Sequence, residues 1–126
     1  MKVIHQSCEL AWLQPQGHLD VYNGSELEQQ MNAIMPTQPC LWVIDLQHVP
    51  SIDSGGLASL VAGFKLARHR QCRLAICNLC PAVRLIFEIT QLDHVFEIFE
   101  SHTDAIATCD LLSDGLPFAD PAWAAA

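Results

Sequence analysis

The sequence predicts an α/β domain built on a sheet with substantial parallel character. Three observations predict it. Leu41-Trp42-Val43-Ile44 and Leu74-Ala75-Ile76-Cys77 are short apolar runs, the pattern of buried strands. Stretches with helical periodicity lie between and beyond them. Strands alternating with helices of this length need crossover connections, which join parallel neighbours. Each helix has one apolar face, so the helices are expected to cover one side of the sheet.

Residues 2–14 read as one or two strands, with the run Leu10-Ala11-Trp12-Leu13 ending before Pro15. Gly17-His18-Leu19-Asp20 follows, then a helix. Ser25-Glu26-Leu27-Glu28 has the capping-box pattern, in which the hydroxyl accepts from a free helix N–H and the glutamate reaches back. Leu27, Met31 and Ile34 recur on one face, and Pro36 ends the helix. The strand at 41–44 stops at Asp45. A loop with Pro50 leads to Ile52-Asp53-Ser54-Gly55-Gly56 and a second helix, whose Leu57, Leu60, Val61, Phe64 and Ala67 form an apolar stripe. Lys65 and Arg68 near its end complement the negative pole of the helix. Pro81 suits the first position of a third helix, with Val83, Phe87 and Ile86 inward. Residues 95–99 alternate as a short strand, and Ser101 caps a final short helix. Residues 1–110 are expected to form one domain. The segment 111–126, with its Gly, Pro and closing Ala run, is expected to be a loosely ordered tail.

Composition sets bounds on function. The chain has 126 residues, enough for one domain, and 51% are hydrophobic, enough for a core without disulfide staples. Fourteen acidic and six basic residues leave a net charge of −8. Arg68, Arg70 and Arg73 are too few to make the positive surface that nucleic acid requires, so no nucleic-acid partner is expected. An acidic surface suits a partner with a basic or mixed face. No signal-peptide pattern opens the chain. The longest apolar run, 57–64, is far below the roughly 20 residues that span a bilayer. A cytoplasmic protein with reduced cysteines and no direct membrane insertion is the expectation.

Asp45 to Leu57 carries the most information. A strand hands over to a helix at Asp53-Ser54-Gly55-Gly56, with Ser54 expected at or near the N-cap. Two glycines there cost on the order of 1 kcal/mol each relative to Ala, which suggests that something approaches the backbone closely. Ser54 is then either a cap alone or a phosphoacceptor at a helix N-terminus, with Asp53, Asp20 and Asp45 near the added charge. A hydrolase would need Gly two residues before the serine, where Ile52 stands. Cys77 and Cys80, with Cys72 or His69, lack the second pair of a structural zinc site. His18 and His48 lie in loops that either approach the Ser54 site or simply leave them as exposed loop histidines. Ala58, Ala62 and Leu66 on the outer side of the second helix form either a flat docking patch or an ordinary surface. No P-loop is present, and no cofactor is expected.

Asp53-Ser54-Gly55-Gly56-Leu57 between strand and helix resembles the core motif of STAS domains of the anti-sigma factor antagonist family. Gly17-His18-Leu19-Asp20 is similar to that family's Gly-x-Leu-Asp. Pro81-Ala82-Val83-Arg84, Leu92-Asp93-His94-Val95-Phe96 and residues 101–107 are similar to its third helix, final strand and last helix. The resemblance runs from about residue 3 to 108. It implies a STAS fold: a four- to five-stranded mixed sheet with helices packed mainly on one face. It also implies a non-enzymatic module that binds an anti-sigma factor or related serine/threonine kinase. The kinase would phosphorylate Ser54 and a serine phosphatase would reset it. Asp20, Asp53, Ser54, Gly55, Gly56, Ala58 and Ala62 are the implied partner-binding residues. An accessory subunit of a lipid-transport complex is the alternative role on the same fold. Two positions depart from the family pattern: Gly55 replaces a common Ser or Thr, and Gln91 replaces a Gly that ends the third helix.

Overall fold

Five strands form one sheet in the order β1-β2-β3-β4-β5: β1 Lys2–His5, β2 Cys8–Leu13, β3 Cys40–Asp45, β4 Cys72–Cys77 and β5 Glu97–Phe99. The structure is a computed structural model and describes residues 2–5, 8–34 and 40–107. β1 pairs antiparallel with β2, and every other neighbouring pair is parallel. Leu10 sits opposite Leu41, Trp42 opposite Leu74, and Ile76 opposite Ile98. The expected mixed α/β sheet is therefore present.

Spatial order follows chain order, so each parallel crossover steps to the next strand in one direction. Right-handed crossovers stepping one way leave their helices on one face. α1 (Val21–Asn32), α2 (Ser54–His69) and α3 (Pro81–Ile89) make these connections. They bury Trp42, Ile44, Leu74 and Ile76 with Leu27, Met31, Leu60, Phe64, Val83 and Phe87 in the main core. The opposite face of β3 and β4 is apolar too, with Leu41, Val43, Ala75 and Cys77 buried. That is why those strands show no alternation. α4 (His102–Ile106) covers this second face through Ala105 and Ile106, while His102 stacks on Trp12 at 4.8 Å. Three helices share one side as expected, and the fourth lies on the other because that face also needs cover.

Local boundaries differ from expectation in two places. α1 begins at Val21, one turn before Ser25. One carboxylate oxygen of Asp20 accepts from the N–H groups of Tyr22 (3.0 Å) and Asn23 (2.9 Å), so the helix starts at that earlier cap. Ser25 is an exposed residue of its second turn. β5 begins at Glu97 rather than Val95. The N–H groups of Val95 and Phe96 both donate to the Leu92 carbonyl at 3.0 Å, closing a 3-10 turn instead of joining the sheet. Phe96 is then free to pack against Phe64 and Phe87, at centroid distances of 5.5 and 5.8 Å.

Other expectations hold. Pro81 opens α3, with Val83 and Phe87 buried and Ile86 partly so. Ser101 caps α4, accepting from the Asp104 N–H at 3.2 Å. Gln91 takes a left-handed conformation, φ 61°, the geometry that favours Gly after a helix. The expected stop at Pro36 and the tail from residue 111 lie outside the described residues. Among the described residues no helix is long and apolar enough to cross a membrane.

Candidate functional site: two capped helix starts

β2 and β3 are parallel neighbours, so the loops that follow them emerge side by side at one end of the sheet. Backbone bonds tie them together. The Leu19 N–H donates to the Ser51 carbonyl (3.0 Å), the Asp53 N–H to the Leu19 carbonyl (3.1 Å) and the Gly17 N–H to the His48 carbonyl (2.9 Å). Leu19 and Ile52 pair as an isolated parallel bridge, and both side chains are buried. Each loop thus has an apolar anchor followed directly by an acidic cap: Asp20 for α1 and Asp53 for α2.

Ser54 is not the cap of α2. Asp53 is, with Oδ1 accepting from the Gly56 N–H at 3.0 Å. Ser54 is the first helical residue and is exposed. The Gly56 N–H, opposed by partial desolvation and aided by His18 and the Gly55 N–H, holds the Asp53 carboxyl below the usual carboxylate range.

The glycines answer to the chain itself. A Cβ on Gly56 would run into the Leu19 carbonyl oxygen, and one on Gly55 would sit 3.0 Å from the Val21 nitrogen. What approaches the backbone here is therefore the chain that leads into α1. Gly56 is buried and shapes the surface from beneath.

Asp45 does not belong to this rim. It is buried and accepts from Trp12 Nε1 (3.3 Å), Gln14 Nε2 (3.2 Å), the Gln47 N–H (3.0 Å) and Asn78 Nδ2 (3.0 Å). It ties together the ends of β2, β3 and β4 instead.

His18 has a more specific place than an exposed loop histidine. Its Nδ1 lies 2.5 Å from Ser51 Oγ and its Nε2 3.3 Å from Asp53 Oδ2. Both nitrogens are thereby occupied by partners other than Ser54, which leaves them uncommitted to activating Ser54 as a nucleophile. Nothing in the sequence marks this contact, because its members are 35 positions apart. His48 is exposed on the neighbouring loop.

Ala58 is exposed and Ala62 partly exposed on the outer side of α2. Two apolar side chains missing from the sequence expectation join this end: Val21 is 58% exposed and Tyr22 81% exposed in the first turn of α1. Their position immediately after an acidic cap, off the Leu27–Met31 face, was the available signal. Together Asp20, Val21, Tyr22, Asp53, Ser54 and Ala58 make a surface with an acidic rim and apolar patches.

Cys77 is a buried strand residue and Cys80 the residue that precedes α3, as expected. Burial first, and Asp45 second, push the Cys77 thiol up to about 12, so the free side chain is a protonated thiol at neutral pH. Among the described residues no group of three or more His, Cys, Asp or Glu side chains could hold a metal ion.

Comparison with known proteins bears on this site. A family model described as STAS domain matches residues 2–105. A Listeria monocytogenes protein named anti-sigma-B factor antagonist is 32% identical over 82 residues, 65% of this chain and 72% of the relative. The crystal structure of an anti-sigma factor antagonist from Mycobacterium paratuberculosis is 26% identical, with a TM-score of 0.64 over 86% of this chain and 90% of that one. A sulfate transporter family protein from Wolinella succinogenes has a TM-score of 0.76 at 16% identity, over 90% of this chain and 93% of its own, and shows a shared fold alone.

Proposed function

The chain belongs to the STAS domain family, and on that premise we propose that it is an anti-sigma factor antagonist-type signalling module, switched by reversible phosphorylation of Ser54. Its partner is an anti-sigma factor or related serine/threonine kinase, and a serine phosphatase resets it. The kinase supplies nucleotide, magnesium and the catalytic base; this module supplies the acceptor and the docking surface. Relatives named as anti-sigma factor antagonists support the role.

One observation carries the reading. Ser54 presents an exposed hydroxyl at the first position of α2, beside a cap carboxylate that already occupies the Gly56 N–H. A phosphate there would add about −1.5 to −2 charge next to Asp53. With Asp53 seated on the helix end, the group would project outward and change the surface without unfolding the core. Asp20, Asp53, Ser54, Ala58 and Ala62 form the docking face in this reading, while Gly55 and Gly56 let the two helix starts close together.

Intact-mass analysis with the cognate kinase and ATP tests this. Wild type gains one phosphate that maps to Ser54, and Ser54→Ala gains none but still binds. Ser54→Asp binds at least about tenfold more weakly, a loss of about 1.4 kcal/mol. Equal affinity of all three forms for the kinase would remove the switch. Recovery of an ATP-binding-cassette subunit in place of a kinase would move the chain to the accessory role in lipid transport.

A further inference from the structure

We propose that His18 is a positioning residue of the Ser54 switch: it clamps the cap of α2 in the unmodified protein and supplies the counter-charge to the phosphate once Ser54 is modified. The proposal rests on the reading of Ser54 as phosphoacceptor.

The clamp is visible in the geometry. The imidazole leaves the loop before α1 and reaches two side chains of the loop before α2, Ser51 at 2.5 Å and Asp53 at 3.3 Å. Its own backbone is held by Asn23, whose Nδ2 donates to the His18 carbonyl at 2.6 Å. With a proton on Nε2 alone, the ring donates to Asp53 and accepts from the Ser51 hydroxyl. With both nitrogens protonated, both donate and the Asp53 contact becomes an ion pair. The same geometry therefore serves both charge states. His18 and Asp53 are 46% and 49% exposed, so protons exchange freely with solvent.

The placement of the other charges supplies the second half. Lys65 lies eleven residues along α2 from Ser54, roughly 16 Å by helical rise. Arg68 is farther along the same helix. Arg70 donates to carbonyls at the far end of α1, Arg73 pairs with Glu97 and Arg84 with Glu100. The titratable groups on the segments packed round His18 are Asp20, Tyr22 and Glu26 at the start of α1, with His48 and Asp53 on the other loop. Of these, Asp53 lies within ion-pair distance of the ring. A phosphate on Ser54 adds negative charge to acidic surroundings. The imidazole already seated against Asp53 is, in its protonated form, a cation placed to answer it. Protonation of His18 and phosphorylation of Ser54 then favour each other, and the coupling is reciprocal.

The test uses the full chain with phosphoserine installed at position 54 during translation, so it needs no kinase. Ring-carbon NMR follows each histidine from pH 5 to 9 with and without the phosphate. The His18 midpoint rises by about 0.5 to 1 unit on phosphorylation, while those of His94 and His102 stay in place. Phosphorus NMR reads the same coupling from the other partner. In His18→Gln, which keeps hydrogen-bonding groups without a titrating ring, the second ionisation of the phosphate moves up by a similar amount. A His18 midpoint unmoved by phosphate, or superposable phosphorus curves for wild type and His18→Gln, overturns the proposal. The wild-type titration stands even if the variant fails to fold. Absence of any kinase that modifies Ser54 would sink the switch reading and leave these titrations as they are.

Discussion

Asp53 divides its carboxylate between two tasks: Oδ1 holds the first turn of α2 through the Gly56 N–H, and Oδ2 faces His18. Both interactions favour the charged form, which is why its proton affinity is depressed in the folded protein. A depressed carboxylate contributes stability that is present above its unfolded value and lost as pH falls through the folded one. Asp53→Asn should therefore lower the melting temperature at pH 7 and differ progressively less from wild type as pH drops below the unperturbed value of 3.8. Thermal melts of both forms from pH 2.5 to 7 check this, and a gap that stays constant down to pH 2.5 would show that the charge is immaterial. Ser54 shows the limit of local reasoning at this scale. A serine before two glycines looks like a cap, yet the preceding aspartate outcompetes it because its carboxylate reaches the N–H three residues on.

At the scale of elements, α1 and α2 pack side by side. A Cβ on Gly24 would strike Ser59, and one on Gly63 would strike the Met31 thioether. Ser59 is buried here and satisfied by the Gly55 carbonyl (3.2 Å) and Glu28 (3.4 Å). The far end of this pair is tied by Arg70, just beyond α2. Its Nη1 donates to the carbonyls of Met31 (3.1 Å), Asn32 (2.9 Å) and Ile34 (2.7 Å), groups that a helix C-terminus leaves without partners. A cation there also meets the negative pole of α1. Arg70→Ala should destabilise the domain by about 1 to 3 kcal/mol, read from urea unfolding. Arg70→Lys should recover only part of it, because its ammonium is more strongly hydrated and sits one bond closer to the backbone than the Nη1 that makes these contacts. An unfolding midpoint unchanged in Arg70→Ala would mean that solvent caps α1 equally well. Arg68, Arg70 and Arg73 adjoin in sequence as a basic cluster, but they part in space: Arg70 serves α1 and Arg73 pairs with Glu97 on β5.

The described residues form a sheet with helices on both faces, three on one and the short α4 on the other. The thin side depends on a five-residue helix whose Ala105 is fully buried against Leu41, Val43 and Ala75. Ala105→Glu places an unpaired charge in that layer and should cost several kcal/mol, enough to unfold a domain of ordinary stability. Circular dichroism and hydrogen exchange across β3 and β4 report the outcome, and native protection in the variant would show that α4 is dispensable cover. Strand and helix identities were legible in the sequence because apolar period, Pro81, Ser101 and the Asp-Ser-Gly-Gly turn act over a few residues. Asp20 and Asp53 were singled out in the sequence because they stand in short motifs, Gly-x-Leu-Asp and Asp-Ser-Gly-Gly, that the family resemblance picks out. The caps of α1 and α2, the reason for Gly56, the withdrawal of Asp45 into the sheet and the contact of His18 with Asp53 were decided only by the tertiary structure. Those depend on which loop lies beside which, and a parallel sheet brings together residues more than thirty positions apart that no local pattern connects.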